Sequence, residues 1–243
     1  TGDNMGAALG LDAQPGDVVV SLGTSGTAFA VSRVPAADAS GLVAGFADAT
    51  GHFLPLVCTL NAARVLTSAA ALLGVDVESF AELALSAEPG AGGLVLLPYL
   101  DGERTPNLPD ARGSLHGITR ANLTPANIAR ASIEGMLGGL ADAVDALVDV
   151  GVVPRRIILV GGAAANPAVS EVAATMFTVP VEVPPPGEYV ADGAARQAAW
   201  ALAGTAAVPQ WPDARPGSTT RREPSPVPGI REAYARARTA LYG

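Results

Sequence analysis

The sequence predicts an α/β fold in which helices flank a mixed β-sheet. Apolar, β-branched runs separated by turn residues occur between residues 17 and 58 and are typical of strands. A long amphipathic pattern after Thr124 is typical of a helix. From Arg155 onward, strand-like, turn-like and helix-like segments alternate, as they do in layered α/β proteins.

The composition fits a packed globular protein and excludes several classes of function. Of the 243 residues, 49% are hydrophobic and 16% are charged, which is unlike a disordered chain. A net charge of −8 provides no basic surface for a phosphate backbone, so we expect no nucleic-acid partner. Charged, glycine or proline residues interrupt the apolar runs, including Ala141–Val153, so we expect no membrane association.

Reactive side chains are few. Cys58 is the single cysteine, and His52 and His116 are the two histidines, so the sequence predicts neither a disulfide nor a metal site. Lysine is absent, which excludes the phosphate-binding lysine of Walker-type loops. The sequence starts at Thr1 without a signal peptide, so we expect a cytoplasmic protein and a chain that is part of a longer one.

The first part of the chain is predicted to form an antiparallel meander. Asp17–Ser21 and Thr27–Val31 are apolar runs joined by the small residues Gly23–Gly26, which predicts a β-hairpin. Further strands are predicted at Leu42–Phe46 and His52–Cys58, with turn-prone residues between them.

The middle of the chain is predicted to be mainly helical. Helical patterns cover Asn61–Leu73 and Val77–Leu85, and a glycine-rich turn then leads into a buried strand at Leu94–Tyr99. The clearest helix follows Thr124, a good N-cap residue with proline after it, and ends near Gly151. Its apolar residues recur at helical spacing: Ile133, Met136, Leu137, Leu140, Val144 and Leu147.

The last part alternates between strands and helices. The predicted elements are, in order, a strand at Arg155–Val160, a turn at Gly161–Asn166, a helix at Pro167–Phe177, a strand at Val181–Val183 and a helix at Ala191–Leu202. A proline-rich strap at Pro209–Pro228 and a helix at Ile230–Leu241 follow. Arg215, Arg221 and Arg222 in the strap are interpreted as a solvated charge cluster.

Two turns carry candidate ligand-binding groups. The hairpin turn Ser21-Leu-Gly-Thr-Ser-Gly26 offers backbone N–H groups, hydroxyls and two glycines that can cradle a phosphate, although a tight turn needs the same small residues without a ligand. The turn Gly161-Gly-Ala-Ala-Ala-Asn166 precedes a helix N-terminus, where a nucleotide can approach the backbone. Close packing of strand and helix also asks for small residues. The Rossmann and Walker patterns are both absent.

A phosphate hairpin followed by a Gly-Gly turn is the layout of the actin/hexokinase-like, or ribonuclease H-like, ATPase fold. Gly113-Ser-Leu-His-Gly-Ile118, eight further residues and Asn127-Ile-Ala-Arg-Ala-Ser-Ile-Glu134 agree with the second signature of the FGGY carbohydrate kinases at every specified position. From Thr1 to about Gly204 the chain therefore resembles the C-terminal half of that family. Within the family, Thr1-Gly-Asp-Asn-Met-Gly6 and Pro98-Tyr-Leu-Asp-Gly-Glu-Arg-Thr-Pro106 are most similar to xylulokinases, with Asp101 where serine is common.

The resemblance implies a catalytic role for one residue near the start of the chain. Asp3 matches the family's catalytic base, which accepts the proton of the sugar hydroxyl, and Asn4 matches a residue next to the sugar. Composition alone leaves Asp3 as an exposed aspartate near a chain end. His116 lies inside the signature among small and apolar residues and is interpreted as structural.

The resemblance also implies a set of residues that bind ATP. These are Gly23, Thr24, Ser25 and Gly26 for the β- and γ-phosphates, and Asn61, Gly161, Gly162 and Asn166 for the rest of the nucleotide. The Thr24 hydroxyl is the best side-chain candidate. Asn61 is the weakest match, because the family's Gly and Gln are absent there, and Arg64 is an alternative. Glu103 and Arg104 are either functional or a local ion pair that fixes a loop.

Taken over the whole chain, the resemblance implies phosphoryl transfer from ATP, with Mg²⁺, to a hydroxyl of D-xylulose. It assigns residues 1–207 to a nucleotide-binding domain and 208–243 to a strap and helix packed on it. It also implies that an N-terminal sugar-binding domain is missing, so we expect the chain alone to be inactive. Gluconate, ribulose or glycerol as substrate, and a non-catalytic ATP-binding module, remain open. Family members are often dimers, which makes a homodimer a candidate assembly.

Overall fold

A computed structural model describes residues 1–209 and 217–243. Within these ranges, the strands are β1 (Asp17–Leu22), β2 (Gly26–Ala30), β3 (Ala44–Ala47), β4 (Phe53–Thr59), β5 (Val95–Leu97), β6 (Ser114–His116), β7 (Arg156–Val160), β8 (Val181–Val183) and β9 (Thr220–Arg222). The helices are α1 (Asp3–Gly10), α2 (Ala63–Leu73), α3 (Val77–Ser86), α4 (Pro125–Asp149), α5 (Pro167–Ala174), α6 (Tyr189–Ala203) and α7 (Ile230–Tyr242).

The main sheet is mixed and has the strand order β3-β4-β2-β1-β7-β8-β9. β1 pairs antiparallel with β2, β2 with β4, and β4 with β3, which confirms the predicted hairpin and antiparallel strands. The predicted meander is wrong in its order, because β4 lies between β2 and β3 and β3 forms the sheet edge. β1 pairs in parallel with β7, and β7 with β8. Parallel neighbours need long crossovers, and the helical segments after β4 and β7 supply them. The predicted α/β architecture with a mixed sheet and flanking helices is therefore confirmed.

Alternate residues of the central strands build two apolar cores, one on each face of the sheet. Val18 and Val20 of β1 point into the larger core, which also contains the buried face of α4. Val19 points to the opposite face and packs with Ala7 and Ala8 of α1. Because side chains alternate along a strand, an unbroken apolar run is what a strand covered on both faces requires. The result is a three-layer domain with the sheet in the middle.

Helix α1 has no counterpart in the sequence prediction, and it places Asp3 in a first helical turn rather than in a loop. It packs against α6 so closely that a Cβ atom on Gly10 or on Gly193 would collide with the backbone of the other helix. Arg196 of α6 donates from its guanidinium to the carbonyl of Leu9 at 2.6 Å, near the C-terminus of α1, where a cation is favoured. Tertiary packing, more than local pattern, stabilises this helix.

Helix α4 follows its prediction closely and forms the spine of the larger core. Thr124 is the N-cap and accepts a hydrogen bond from the Asn127 N–H at 3.2 Å, with Pro125 in the first turn. The buried strand predicted at Leu94–Tyr99 is shorter, at Val95–Leu97, and pairs with β6 in a separate two-stranded sheet. Strand β6 lies inside the kinase signature and was not predicted.

The C-terminal strap differs from the irregular segment that was predicted. Its residues Thr220–Arg222 form β9 and pair antiparallel with β8. Arg221 and Arg222 stay partly exposed to solvent, and each also has an acidic partner, since Arg221 contacts Glu182 at 2.7 Å and Arg222 contacts Glu171 at 2.6 Å. These ion pairs hold the strap to the sheet edge. Residues 210–216, including Arg215, lie outside the described ranges.

Helix α7 packs against α4 and β5. The Tyr234 ring fills the space beside Gly138, where a Cβ atom would lie 2.8 Å from it. Arg231 and Arg238 form ion pairs with Asp145 and Asp142 of α4. Across residues 1–209 and 217–243, the structure contains no helix long and apolar enough to cross a bilayer.

Candidate functional site

The first predicted turn connects β1 to β2 and contacts the start of helix α2. The Ala63 N–H of α2 donates to the Gly23 carbonyl at 2.9 Å, which fixes the turn against the helix. Thr24 and Ser25 at its tip are exposed. Gly26 is buried, and a Cβ atom there would collide with the Thr59 hydroxyl and lie 2.8 Å from the Leu140 side chain. Packing alone therefore requires glycine at residue 26, while the tip is open to a ligand.

The second predicted turn follows β7 and lies directly beside the first. Gly161 has φ of 93°, and a Cβ atom there would lie 2.7 Å from the backbone of Leu22 at the end of β1. Glycine is required at this position by both conformation and space. At Gly162, by contrast, no atom lies within 4 Å of an added Cβ. Asn166 is 7% exposed and caps α5 by accepting a hydrogen bond from the Ala168 N–H at 2.9 Å.

The two turns open onto one cavity of about 870 Å³. Gly23 and Thr24 line one part of it, and Gly162 and Asn166 line another. Apolar and small residues of α2 and α3 form most of the remaining wall, among them Ala63, Leu66, Ala70, Phe80, Ala81 and Leu85. A large, mainly apolar cleft with a few polar groups is typical of a small-molecule site. The structure thus brings both predicted turns together around one space.

Helix α3 completes the cavity, and the sequence interpretation did not assign it a role. Its N-cap is Asp76, whose carboxylate accepts a hydrogen bond from the Ser79 N–H at 2.8 Å, and this bond lowers the pKa of Asp76. Val77, Glu78 and Glu82 line the cavity, as does Thr67 of α2. The amphipathic pattern of α3 predicts which face is buried. No motif in the sequence predicts that its more exposed face borders a cleft.

Asp3 and Asn4 lie at the N-terminus of α1, near the start of β2. The Asn4 backbone N–H donates to the Asp3 carboxylate at 2.8 Å, and the Asn4 amide does so at 3.2 Å. The Thr27 hydroxyl donates to the Asn4 side-chain oxygen at 3.5 Å, which connects this pair to the strand that follows the phosphate turn. Asp3 is exposed, so a substrate can reach its carboxylate.

Asn61 is held in a buried hydrogen-bond network rather than directed into the cavity lining. Its amide donates to the Gly102 carbonyl at 2.7 Å and to the Glu103 carboxylate at 2.9 Å, and its oxygen accepts from the Leu100 N–H at 3.0 Å. Glu103 is 3% exposed and also accepts from the Leu60 N–H at 2.7 Å. The structure therefore gives Asn61 an internal role, and a contact with nucleotide stays a prediction.

The remaining candidates also have internal partners. The Glu103 carboxylate accepts hydrogen bonds from backbone and amide groups. One of them comes from the Arg104 backbone N–H at 2.7 Å, in place of the ion pair between the Glu103 and Arg104 side chains that the sequence suggested. Arg64 forms an exposed ion pair with Asp101 at 3.3 Å. The His116 ring contacts the Ser114 hydroxyl at 2.9 Å within β6. Among the residues that the structure describes, no three His, Cys, Asp or Glu side chains cluster as a metal site.

The chain matches a known protein family over most of its length. The C-terminal domain of the FGGY family of carbohydrate kinases matches residues 18–202. Xylulose kinase from Streptomyces coelicolor is 46% identical over 205 residues, which are 84% of this chain and 41% of that protein. The chain thus spans less than half the length of this curated relative.

Solved structures give the same picture. Xylulose kinase from Bifidobacterium adolescentis aligns with a TM-score of 0.86 and 46% identity, over 98% of this chain and 46% of that one. Glycerol kinase from Plasmodium falciparum aligns with a TM-score of 0.82 over 100% of this chain and 50% of that one, and at 17% identity it supports the fold alone. The predicted actin/hexokinase-like fold is confirmed. The chain belongs to the FGGY family of carbohydrate kinases and corresponds to their C-terminal domain.

Proposed function

We propose that this chain is the nucleotide-binding half of an ATP-dependent sugar kinase that converts D-xylulose to xylulose 5-phosphate. The observation that carries the proposal is the cavity between the two turns, because it joins a phosphate-type hairpin to a Gly-Gly turn within one cleft. The substrate rests on the relatives, since the proteins at 46% identity are xylulose kinases. A sugar-binding domain outside this chain would close the other side of the cleft.

In this proposal the nucleotide lies along the cavity with its phosphates at the hairpin. Backbone N–H groups near Gly23 and the Thr24 hydroxyl would bind the phosphate oxygens, and no basic side chain lines the cavity within the described residues. Gly162 lets the nucleotide approach the backbone, Gly161 allows the turn to lie against Leu22, and the amide of Asn166 supplies a hydrogen-bond donor. Thr24, Ser25 and Gly162 are the positions whose exposure and open space suit direct contact.

Asp3 is the proposed general base for attack by the sugar hydroxyl on the γ-phosphate. Its carboxylate accepts the proton of that hydroxyl as the new O–P bond forms and the bond to ADP breaks. Two hydrogen bonds from Asn4 orient this carboxylate, and Asn4 is itself connected to β2 through Thr27. The packing of α1 on α6 then holds the first turn of α1 at a fixed position relative to the sheet.

Mg²⁺ is proposed to enter with ATP rather than to occupy a site of this chain. Mg²⁺ keeps several water ligands and is commonly bound through one or two carboxylates plus the substrate phosphates. Among the described residues no three carboxylate, histidine or cysteine side chains cluster to hold the ion, so the phosphates and water would be its main ligands. When bound, the ion would neutralise charge on the phosphates during transfer.

A non-catalytic ATP-binding module is the competing proposal, because the cavity between the two turns is all that it requires. Calorimetric titration of the 243-residue chain with ATP tests the shared part of both proposals, namely the nucleotide site. A chimera then separates them: this chain replaces the corresponding C-terminal part of the Streptomyces coelicolor xylulose kinase. Xylulose-dependent ADP formation by the chimera supports the kinase, whereas ATP binding without turnover supports the module. A panel with gluconate, ribulose and glycerol tests the substrate.

Substitution of Asp3 by alanine in this chimera should lower kcat by roughly 10²- to 10⁴-fold, the usual contribution of general-base assistance. ATP affinity should remain close to that of the parent, because Asp3 does not line the cavity. Steady-state kinetics and calorimetry measure the two quantities on the same protein. Near-normal turnover of the Asp3→Ala chimera would rule out the catalytic assignment.

A further inference from the structure

We propose that Glu78 and Glu82 of helix α3 recognise the exocyclic amine of adenine and so select ATP over purine nucleotides that carry an oxygen there. The inference rests on the proposed function, because it requires a nucleotide in the cavity. Both residues line that cavity and are exposed to it, one helical turn apart. They are the charged side chains of its lining among the described residues, and neither has an ion-pair partner within those ranges.

The order of the two helices places the first turn of α3, with Glu78, at the end of the cavity away from the phosphate turn, and Glu82 follows one helical turn later. Helix α2 starts at the phosphate turn, since the Ala63 N–H is bonded to Gly23, and its cavity face continues to Ala70, about 10 Å further along the axis. Three residues separate the end of α2 from the start of α3, so α3 begins beside the far end of α2. Glu78, in the first turn of α3, therefore lies away from the phosphates.

The lining offers adenine a donor as well as acceptors. Asn166 is only 7% exposed, and it lines the same cavity. Its side-chain oxygen is used by the Ala168 N–H, which leaves the amide N–H₂ without a partner inside the described residues. That group can donate to a ring nitrogen of the base. An apolar slot with one donor and an ionised acceptor pair is complementary to adenine.

Carboxylates discriminate against oxygen at the amine position. An ionised carboxylate only accepts hydrogen bonds, so it attracts the amine of adenine and repels the carbonyl oxygen of hypoxanthine. Replacement of the amine by an oxygen therefore removes a hydrogen bond and adds repulsion between two acceptors. Since hydrogen bonds to charged groups contribute about 1.5–3 kcal/mol, the lower part of that range at this exposed position corresponds to roughly tenfold tighter binding of ADP than of IDP.

The test is calorimetric titration of the 243-residue chain with ADP and with IDP, which differ mainly at this position. The unaltered chain should bind ADP about tenfold more tightly, and the Glu78→Gln/Glu82→Gln double variant should bring the ratio of the two dissociation constants below about threefold. Loss of negative charge also strengthens binding of any polyphosphate, so the ratio, not either affinity alone, is the readout. Glu88→Gln is the matched control, because Glu88 is exposed and does not line the cavity.

Each outcome decides the proposal. Binding of neither nucleotide by the unaltered chain overturns both this inference and the proposed function. Equal binding of ADP and IDP, or a ratio that the double variant leaves unchanged, overturns the inference while the nucleotide site stands. A final titration compares ADP with 2′-deoxy-ADP. If the double variant loses the difference in affinity between these two nucleotides but keeps the difference between ADP and IDP, the carboxylates bind the ribose hydroxyl and the proposal is wrong. Circular dichroism of the variants verifies that they fold.

Discussion

At the scale of single residues, the two glycines of the second turn do different work although they are adjacent in sequence. Gly161 has a positive φ and lies against the backbone of Leu22, so its role is conformational. Gly162 has no neighbour within 4 Å of an added Cβ and is not in the left-handed region, so the fold does not require glycine there. Open space in a cavity wall is what a ligand contact needs.

Substitution of Gly162 by alanine should therefore leave stability nearly unchanged and weaken nucleotide binding. The fold tolerates the methyl group, whereas a nucleotide that passes close to the backbone meets it. Urea unfolding and ADP titration on the same variant measure the two effects. We expect a change in the free energy of unfolding within about 0.5 kcal/mol, which is ordinary for a tolerated surface substitution.

Gly161→Ala is the matched comparison, because the added methyl group is chemically identical. It should lower stability by more than 1 kcal/mol, since alanine at this φ is strained and meets the Leu22 backbone at 2.7 Å. If Gly162→Ala destabilises the chain as much as Gly161→Ala does, the distinction between the two glycines is wrong. If Gly162→Ala binds ADP normally, the nucleotide does not pass this residue.

At the scale of elements, Asn61 and Glu103 connect the segment before α2 to the loop after β5. The Glu103 carboxylate accepts hydrogen bonds from the Leu60 and Arg104 backbones and from the Asn61 amide. Helix α2 starts two residues after Asn61 and is bonded to the phosphate turn at Gly23. The network thus fixes the entry to the helix that forms one wall of the cavity.

Asn61→Ala should destabilise the chain by about 1–3 kcal/mol, because it removes the donor to the Gly102 carbonyl and to one oxygen of the buried Glu103 carboxylate. ADP affinity should change little once the protein is folded, since Asn61 does not line the cavity. Thermal unfolding and calorimetry measure the two quantities. A large loss of ADP affinity with normal stability would instead support the nucleotide contact implied by the sequence resemblance.

Elements with strong periodicity could be predicted from the sequence, and elements that depend on partners could not. The helix after Thr124 has a cap and an apolar stripe, and it was predicted nearly to the residue. Helix α1 is short and rich in alanine and glycine, and its stability comes from close packing on α6. Strand β9 lies in a proline-rich segment, where pairing with β8 and the Arg221–Glu182 ion pair override weak propensity.

The candidate site divides in the same way. Both turns could be located from small residues between strands and helices, and the structure brings them to one cavity. Their roles in binding stay predictions. The face formed by Glu78 and Glu82 could not be found from sequence, because exposed glutamates on a helix are typical of any solvated surface. Only the packing of α2 and α3 around a cavity distinguishes them.

At the scale of the whole molecule, helix α4 ties the main sheet to the β5–β6 sheet and to α7, and it carries a buried ion pair. Arg130 donates to Glu134 at 2.7 Å, and the Gly90 N–H donates to the same carboxylate oxygen at 2.8 Å. Burial raises the pKa of Glu134, and these two donors offset only part of that rise. Removal of the carboxyl group would leave Arg130 buried without its counter-charge.

This raised pKa determines how stability should depend on pH. A group whose folded pKa lies above its unfolded value contributes stability that is fully present below the unfolded pKa and is lost as the pH rises through the folded pKa. For Glu134 the loss starts near 4.5, its ordinary value, and proceeds upward. The free energy of unfolding of the native chain, minus that of Glu134→Gln, should therefore fall with rising pH by about 1.4 kcal/mol per unit between the two pKa values.

Urea unfolding of both proteins at several pH values above about 4.5 measures this difference. The subtraction removes every contribution that the two chains share, so the slope of the difference against pH reports Glu134 alone. Glutamine can present its oxygen to Arg130 and Gly90, so the constant part of the difference does not affect the slope. Glu232→Gln is the control, and its difference should stay constant over this pH range. Hydrogen bonds from its own backbone N–H and from that of Gly229 lower the pKa of Glu232, so its contribution is constant above 4.5 and is lost only as the pH falls below it. A flat difference for Glu134→Gln across the same range would mean that Arg130 fully compensates the burial of its partner.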